Sequence, residues 1–424
     1  MTFKIIGLGG CNEVGRSSFL VDIGEKILLD RGIKLTPEET EYPLHVHTQL
    51  DAVIISHAHL DHSGDLPHLF TKNKPIVYIT PPTLDLAEML WHDSLKIAGI
   101  EGVDAKYSKA DIKRTRKFAF PIGYKIRLQI TERVTLEFFD AGHIIGSAIT
   151  KLTFDSKSLV YTGDFKVEET RLLKKADLKV GEVDYVIIEG TYGDTSHPNR
   201  HVIEKDFVKA CKSTLDDGGM VVVPAFAVGR SHEIVDILYE HKLDYPIYLD
   251  GMAQKAATLT MKYPDYLKNP KLLKKALKHV IWIKKESQRR KAMKEPCIIV
   301  TTAGMCEGGP VLNYIKNLAN DEKSAIFLTG YQVEGTQGRR LIEEGVINID
   351  GKDYRPKCSI RKFDFSAHAG QNELMSAIKK WNPKKVFIVH GEPQKIKVLK
   401  EKVSEELGIE AEELELGKTT KVDE

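Results

Sequence analysis

His57, His59, Asp61 and His62 put four metal-competent side chains within six residues, inside the stretch DAVIISHAHLDHSGD at 51–65. Imidazole nitrogen and carboxylate oxygen are ligands that zinc accepts readily, and the same set can take manganese or iron. His57 and His59 stand two residues apart and can converge on one ion. Asp61 and His62, beyond a turn that Gly64 eases, can reach a second. Two adjacent divalent cations are the chemistry this spacing suits. The competing reading is a polar loop whose histidines happen to cluster. It would serve for a lone histidine, but four ligand side chains packed directly behind an apolar run strain it.

The run at 52–55 reads as a short buried strand that delivers the cluster at its end. The same design recurs. Residues 18–30 read as a hairpin turning at Gly24-Glu25 and ending in Asp30; 134–139 leads to His143; 159–161 to Asp164; 185–188 to Glu189. Ligands from separate strand ends can meet at one edge of a sheet sandwich, where a rigid scaffold presents a site. Asp30 fits either an ordinary turn cap or a carboxylate that orients a histidine ligand. Helical periodicity covers 83–99 and 371–381. The segment 362–365 is strand-like and precedes Ser366 and His368; 385–389 is a final strand ending in His390. The helix from 393 runs into a glutamate-rich tail expected to be a solvated surface.

From about 195 short buried strands (220–224, 246–249, 297–300, 325–328) alternate with amphipathic helices, a rhythm that predicts a mostly parallel α/β sheet. Glycine-bearing turns follow several of them. In open α/β sheets such loops are where ligands dock, and Arg230, Arg339 and Arg340 could supply charge for phosphate. Most such glycines serve chain reversal alone.

At 424 residues the chain is long enough for two domains, and 42% hydrophobic residues supply ample core. A net charge of +2 does not announce a nucleic-acid binder, so any such role rests on local patches. Two stretches are strongly basic: 106–127, opposed only by Asp111, and 268–294, with eleven Lys/Arg against Glu286. Both read by default as solvated faces; the second gains interest if it lines a site. Five scattered cysteines without a Cys-x-x-Cys fit a reducing cytosol. No apolar run approaches the ~18 residues of a membrane span, so a cytoplasmic protein without membrane partners is expected. A dinucleotide fingerprint beginning at Gly7 fails, because Asn12 stands where glycine is needed and a strand follows.

Taken together, His57-x-His59-x-Asp61-His62, with Asp30 before and His143 and Asp164 after, resembles the metallo-β-lactamase superfamily. Glu189, His368 and His390, in that order, resemble the further motifs of its β-CASP nuclease branch. The wording GGCNEVGRSSFLV and Gly335-Thr336-Gln337-Gly338-Arg339 is most similar to archaeal relatives of the cleavage and polyadenylation specificity factor nuclease, then to ribonuclease J. The resemblance covers essentially the whole chain. It implies a metallo-β-lactamase αββα sandwich at 1–193 and 363–424, interrupted by an inserted β-CASP α/β domain at 194–362, and no N-terminal KH domain. It also implies two zinc ions. His57, His59 and His143 would hold one; Asp61, His62 and His390 the other; Asp164 would bridge them. Asp61 and His368, the latter oriented by Glu189, would take part in catalysis, although His368 also has a purely structural reading. Ser366, Arg230, Gly335, Thr336, Gln337 and Arg339 would grip phosphates. His390 argues for RNA, since the DNA-repair members carry valine there. The expected activity is a zinc-dependent ribonuclease of RNA processing or decay, endonucleolytic by preference over 5′-to-3′ exonucleolytic. The expected assembly is a homodimer or an RNA-processing complex. A small-molecule metallo-hydrolase and a non-catalytic scaffold are the competing classes.

Overall fold

The computed structural model describes residues 3–36, 39–72 and 74–422, and of Glu101 the backbone alone. The chain divides into two compact units. The first comprises residues 1–169, 175–196 and 368–424; the second comprises 170–174 and 197–367.

Two seven-stranded sheets build the first unit. One runs in the spatial order Thr419–Val422, Phe3–Gly9, Ser18–Asp22, Lys26–Leu29, Ala52–Ile54, Val77–Ile79, Ala119–Pro121. The other runs Glu410–Glu413, Lys385–Val389, Tyr185–Glu189, Lys157–Tyr161, Ala148–Phe154, Thr135–Asp140, Leu128–Gln129. Their facing sides share one apolar core that includes Phe3, Phe19, Ile27, Ile54, Leu136, Phe138 and Leu159. The central strands of the second sheet are buried on both faces, and the two-residue period assigns their side chains. Tyr185, Ile187, Phe387 and Val389 enter the core between the sheets. Val186, Ile188, Val386 and Ile388 turn the other way, against Leu374 and Ile378 of helix Gln371–Trp381 and Ile396, Leu399 and Val403 of helix Pro393–Leu407. A strand covered on both faces reads as an unbroken apolar run, which is why these segments are so plain in the sequence. Helix Pro81–Glu101 is set at its start by Thr80, whose side chain accepts from the Thr83 N–H, and ends on Gly102 in the left-handed conformation.

The second unit is built on a six-stranded sheet in the order Ile281–Trp282, Ile247–Asp250, Ile298–Thr301, Val221–Pro224, Ala325–Leu328, Ser359–Lys362. Every pairing in it is parallel, as the strand–helix rhythm requires. Fold class and architecture are thus those anticipated.

Two local expectations are corrected. The strand expected at 362–365 lies earlier, at Ser359–Lys362. Phe363 and Phe365 are instead anchors that meet Phe207 edge-on, while Asp364 takes the His197 Nδ1 at 2.8 Å. The true strand is mostly exposed, so it carries no apolar alternation to read. The glutamate-rich tail is not merely a solvated surface either. It supplies Glu410–Glu413, parallel to Lys385–Val389, and Thr419–Val422, antiparallel to Phe3–Gly9. Glutamate is depleted in strands, but here Glu410 and Glu412 both pair with Lys385, at 2.6 and 2.8 Å. In the basic stretch 106–127, Arg114 pairs with Asp111, Arg116 with Asp85 and Glu88, and Lys125 with Asp177, while Lys106, Lys109, Lys113, Lys117 and Arg127 are exposed on the surface. No helix among the described residues is long and apolar enough to cross a membrane.

Candidate metal centre

Strand Ala52–Ile54 stops just short of Ser56 and His57, and the chain enters a short helix, Leu60–Ser63, that carries Asp61 and His62. The path is clamped by the neighbouring segment: Arg31 N–H donates to the His62 carbonyl and Ser17 N–H to the Asp61 carbonyl, both at 2.8 Å. Gly32 is demanded here, since a Cβ would fall 1.7 Å from the Asp61 carbonyl oxygen.

Asp30, fully buried and itself at φ +59°, sits beneath the cluster. Its carboxylate accepts from the Ser56 N–H and hydroxyl at 2.7 Å each and from the Tyr161 hydroxyl at 2.6 Å. It also meets His62 Nδ1 at 2.7 Å, which leaves Nε2 of that ring as the ligand nitrogen. His57 is held likewise, its Nδ1 3.0 Å from the Ser56 hydroxyl, while its buried Nε2 has no hydrogen-bond partner. Ser56 and Tyr161 escaped the sequence reading. Their only signal is adjacency, one residue before His57 and three before Asp164.

The other strand ends bring the remaining groups. His143 Nε2 lies 3.1 Å from His59 Nδ1. Asp164 Oδ2 lies 3.6, 3.3 and 3.7 Å from Nε2 of His57, His62 and His143. His390, at φ +50° behind strand Lys385–Val389, has Nε2 3.3 Å from Asp61 Oδ2 and Nδ1 3.3 Å from Asp164 Oδ1. Two ligand sets result, His57/His59/His143 and Asp61/His62/Asp164/His390, each with all donor atoms within 4.8 Å of one another. His368 joins from another side. Its Nδ1 is 2.8 Å from Glu189 Oε2, and Glu189 Oε1 accepts the Phe165 N–H at 2.9 Å. His143, Asp164 and His368 also form a set of metal-ligand spacing.

The electrostatics follow. Burial pushes His57 well below its usual pKa and lowers His59, which favours the neutral imidazole a metal requires. Burial would raise Asp61 and Asp164, but the surrounding imidazoles outweigh it: chiefly His62 holds Asp61 down, and His390 and His62 hold Asp164 well down. Burial would likewise depress His62, yet Asp164, Asp61 and Asp30 raise it well above the ordinary range. These carboxylates demand positive charge at that point, which a proton on His62 or a cation at its Nε2 supplies. Burial is also overcome at His368, raised to about 9 by Glu189 and then Asp164. Nitrogen and oxygen donors at these spacings, with a buried unpartnered Nε2 among them, fit a divalent metal.

Of the phosphate-gripping residues foreseen in the second unit, Ser366, Arg230, Thr336, Gln337 and Arg339 have internal partners there. Arg230 pairs with Glu233, which also holds Arg200, and Arg200 donates to the Ser366 carbonyl at 3.2 Å. Thr336 caps helix Gln337–Glu343, Gln337 accepts the Asn348 N–H, Arg339 pairs with Glu343, and Gly335 turns at φ +84°.

A sandwich that gathers histidines and carboxylates at its strand ends defines a metallo-hydrolase. Family models agree along the chain: a metallo-β-lactamase superfamily domain matches 19–189, a β-CASP domain 232–341, and a Zn-dependent metallo-hydrolase RNA specificity domain 353–412. The chain belongs to the β-CASP branch of the metallo-β-lactamase superfamily. It is 41% identical to a "Probable RNase MJ4" of Methanocaldococcus jannaschii over 94% of this chain and 95% of that one. An "RNase J-like protein" of the same organism is 40% identical, over 91% of each. The "RNase aCSPSF2" of Saccharolobus solfataricus is 35% identical, over 97% of this chain and 83% of that one.

Proposed function

We propose that this protein is a zinc-dependent ribonuclease that hydrolyses RNA phosphodiester bonds with two metal ions, cutting internally, in RNA processing or decay. The observation that carries the proposal is the convergence of seven ligand side chains in two sets, with the His368–Glu189 pair alongside. Three relatives whose names read RNase supply the substrate class. His57, His59 and His143 would hold one zinc; Asp61, His62 and His390 the other; Asp164 reaches both sets and would bridge. Held there, two such ions would activate water at neutral pH and would offset charge on the phosphoryl oxygens.

The chain's own groups do the rest. Asp61, with a third of its side chain exposed, is the carboxylate available to take a proton from water. His368, its Nδ1 2.8 Å from Glu189 Oε2, would hand a proton to the departing ribose oxygen. Glu189 keeps that imidazole charged and oriented. All five cysteines are buried and unpaired, in keeping with a reducing, cytoplasmic setting.

The test incubates metal-loaded protein with one RNA sequence in circular and linear 5′-monophosphate forms, with His390→Ala as control. Cutting of the circle by the native chain alone is expected. Degradation of the linear form only would replace internal cutting with 5′-to-3′ trimming. Both forms intact would sink the ribonuclease reading.

A further inference from the structure

The second unit carries a shallow, open pocket of about 510 Å³ that none of the chemistry above uses. It opens where strands Ile247–Asp250 and Ile281–Trp282 end, and both terminal residues line it. In open parallel α/β sheets the carboxyl ends of strands are where ligands dock. Its walls draw on the basic stretch 268–294, otherwise without a role.

The lining is specific. Asp250 is fully buried and already neutralised: Arg289 meets it through Nε at 2.7 Å and Nη2 at 3.0 Å, and the Tyr314 hydroxyl donates at 2.8 Å. Arg289 also meets Glu286 at 3.1 Å, so of the exposed cations Lys255 and Lys284 one offsets that second acid and the rim keeps a net positive charge. Half-buried Trp282 is fixed by donating its indole N–H to the Leu277 carbonyl at 2.9 Å. The Gln254 amide donates to the carbonyls of Leu249 and Ile283, at 2.7 Å each, tying the two walls together. The pocket is thus formed in advance, with an immobilised aromatic plane beside excess positive charge.

We propose that this pocket binds a nucleoside phosphate, its base against Trp282 and its phosphate against Lys255 and Lys284, most naturally as one residue of a single-stranded RNA. Aromatic stacking joined to backbone-tracking cations is how single strands are held without sequence preference. The preference for RNA over a free nucleotide rests on the ribonuclease reading; the pocket's chemistry does not.

Trp282 reports on its own site, because the other two tryptophans, Trp91 and Trp381, are buried at 0% and 7% exposure. The full metal-loaded chain is titrated with adenosine monophosphate and, separately, with a phosphorothioate single-stranded RNA that resists cutting. Quenching of tryptophan emission is expected, absent in Trp282→Phe and shifted roughly tenfold or more to higher concentration by Lys255→Glu with Lys284→Glu. Both lysines are exposed, so that pair leaves the core untouched. Quenching by RNA at lower concentration than by the mononucleotide identifies the strand as ligand; the reverse order identifies a free nucleotide in the same site. No quenching by either probe overturns the proposal, as does quenching that survives Trp282→Phe or ignores the lysine pair. An inactive protein that still quenches would refute the ribonuclease reading and leave this one standing.

Discussion

Asp30 touches four groups at once, and each contact bears on a ligand. Two come from Ser56, whose hydroxyl also steadies His57; one comes from Tyr161; the last is the short contact to His62 Nδ1. A turn cap would satisfy the Ser56 N–H and stop there. The extra contacts mark a carboxylate that fixes the tautomer and angle of a ligand ring, and removing such partners costs about 10–100-fold in metal affinity. Asp30→Asn tests this with little backbone disturbance, because asparagine tolerates the left-handed φ of +59°. Competition against a chromogenic chelator should show a loss in that range, with near-native secondary structure by circular dichroism. Unchanged zinc retention would return Asp30 to the rank of a cap.

At the scale of elements, the strand that ends in His390 lies next to one the eye passes over. Lys385–Val389 is flanked on one side by Tyr185–Glu189 and on the other by Glu410–Glu413, whose acidic residues are spent on Lys385 and Lys400. Truncation after Gly408 removes that neighbour and also Thr419–Val422, the partner of Phe3–Gly9. Two strand edges would then be bare, and unpaired edges invite association. We expect a lower melting temperature by calorimetry and a rise in light scattering; a monomeric truncation with native melting behaviour would contradict this account. The same strands show what sequence can and cannot tell. His57 to His62 are legible because their ligands are contiguous, and Ile187 or Ile388 because an apolar run covered on both faces has few alternatives. The pairing of Glu410–Glu413 with Lys385 is a long-range charge match that no local propensity encodes. Ser359–Lys362, exposed along its edge, has no alternation to betray it. His368 and His390 are legible only through their resemblance to the family's motifs, because no local pattern shows their contacts with Glu189 and Asp61, which are distant in sequence.

For the molecule as a whole, a net charge of +2 leaves stability to individual buried groups. Two of them share helix Arg230–Glu240 in the second unit. Asp236 is buried with neither carboxylate oxygen hydrogen-bonded, and burial, then the Glu233 and Glu240 charges, push its pKa up to about 8 against the pull of Arg171. His232, its Nε2 3.1 Å from the Ala253 carbonyl, is pushed down by burial to about 4. Between the unfolded aspartate value of ~3.9 and about 8, the folded chain keeps a proton on Asp236 that the unfolded chain has lost, so that contribution to stability declines as pH rises. His232 acts oppositely between about 4 and 6.5, where the unfolded chain takes a proton the folded one refuses. Below 6.5 the slopes of Asp236 and His232 offset each other; above it Asp236 contributes ~1.4 kcal/mol per pH unit at full slope, and in the metal-free chain His62 and His368, both raised, act with the same sign. Native protein should therefore melt at a lower temperature at pH 8 than at pH 6.5, and Asp236→Asn should narrow that difference by the share Asp236 contributes. Equal shifts in the two proteins would mean that Asp236 is ionised in the fold and that its neighbours, not its burial, govern it.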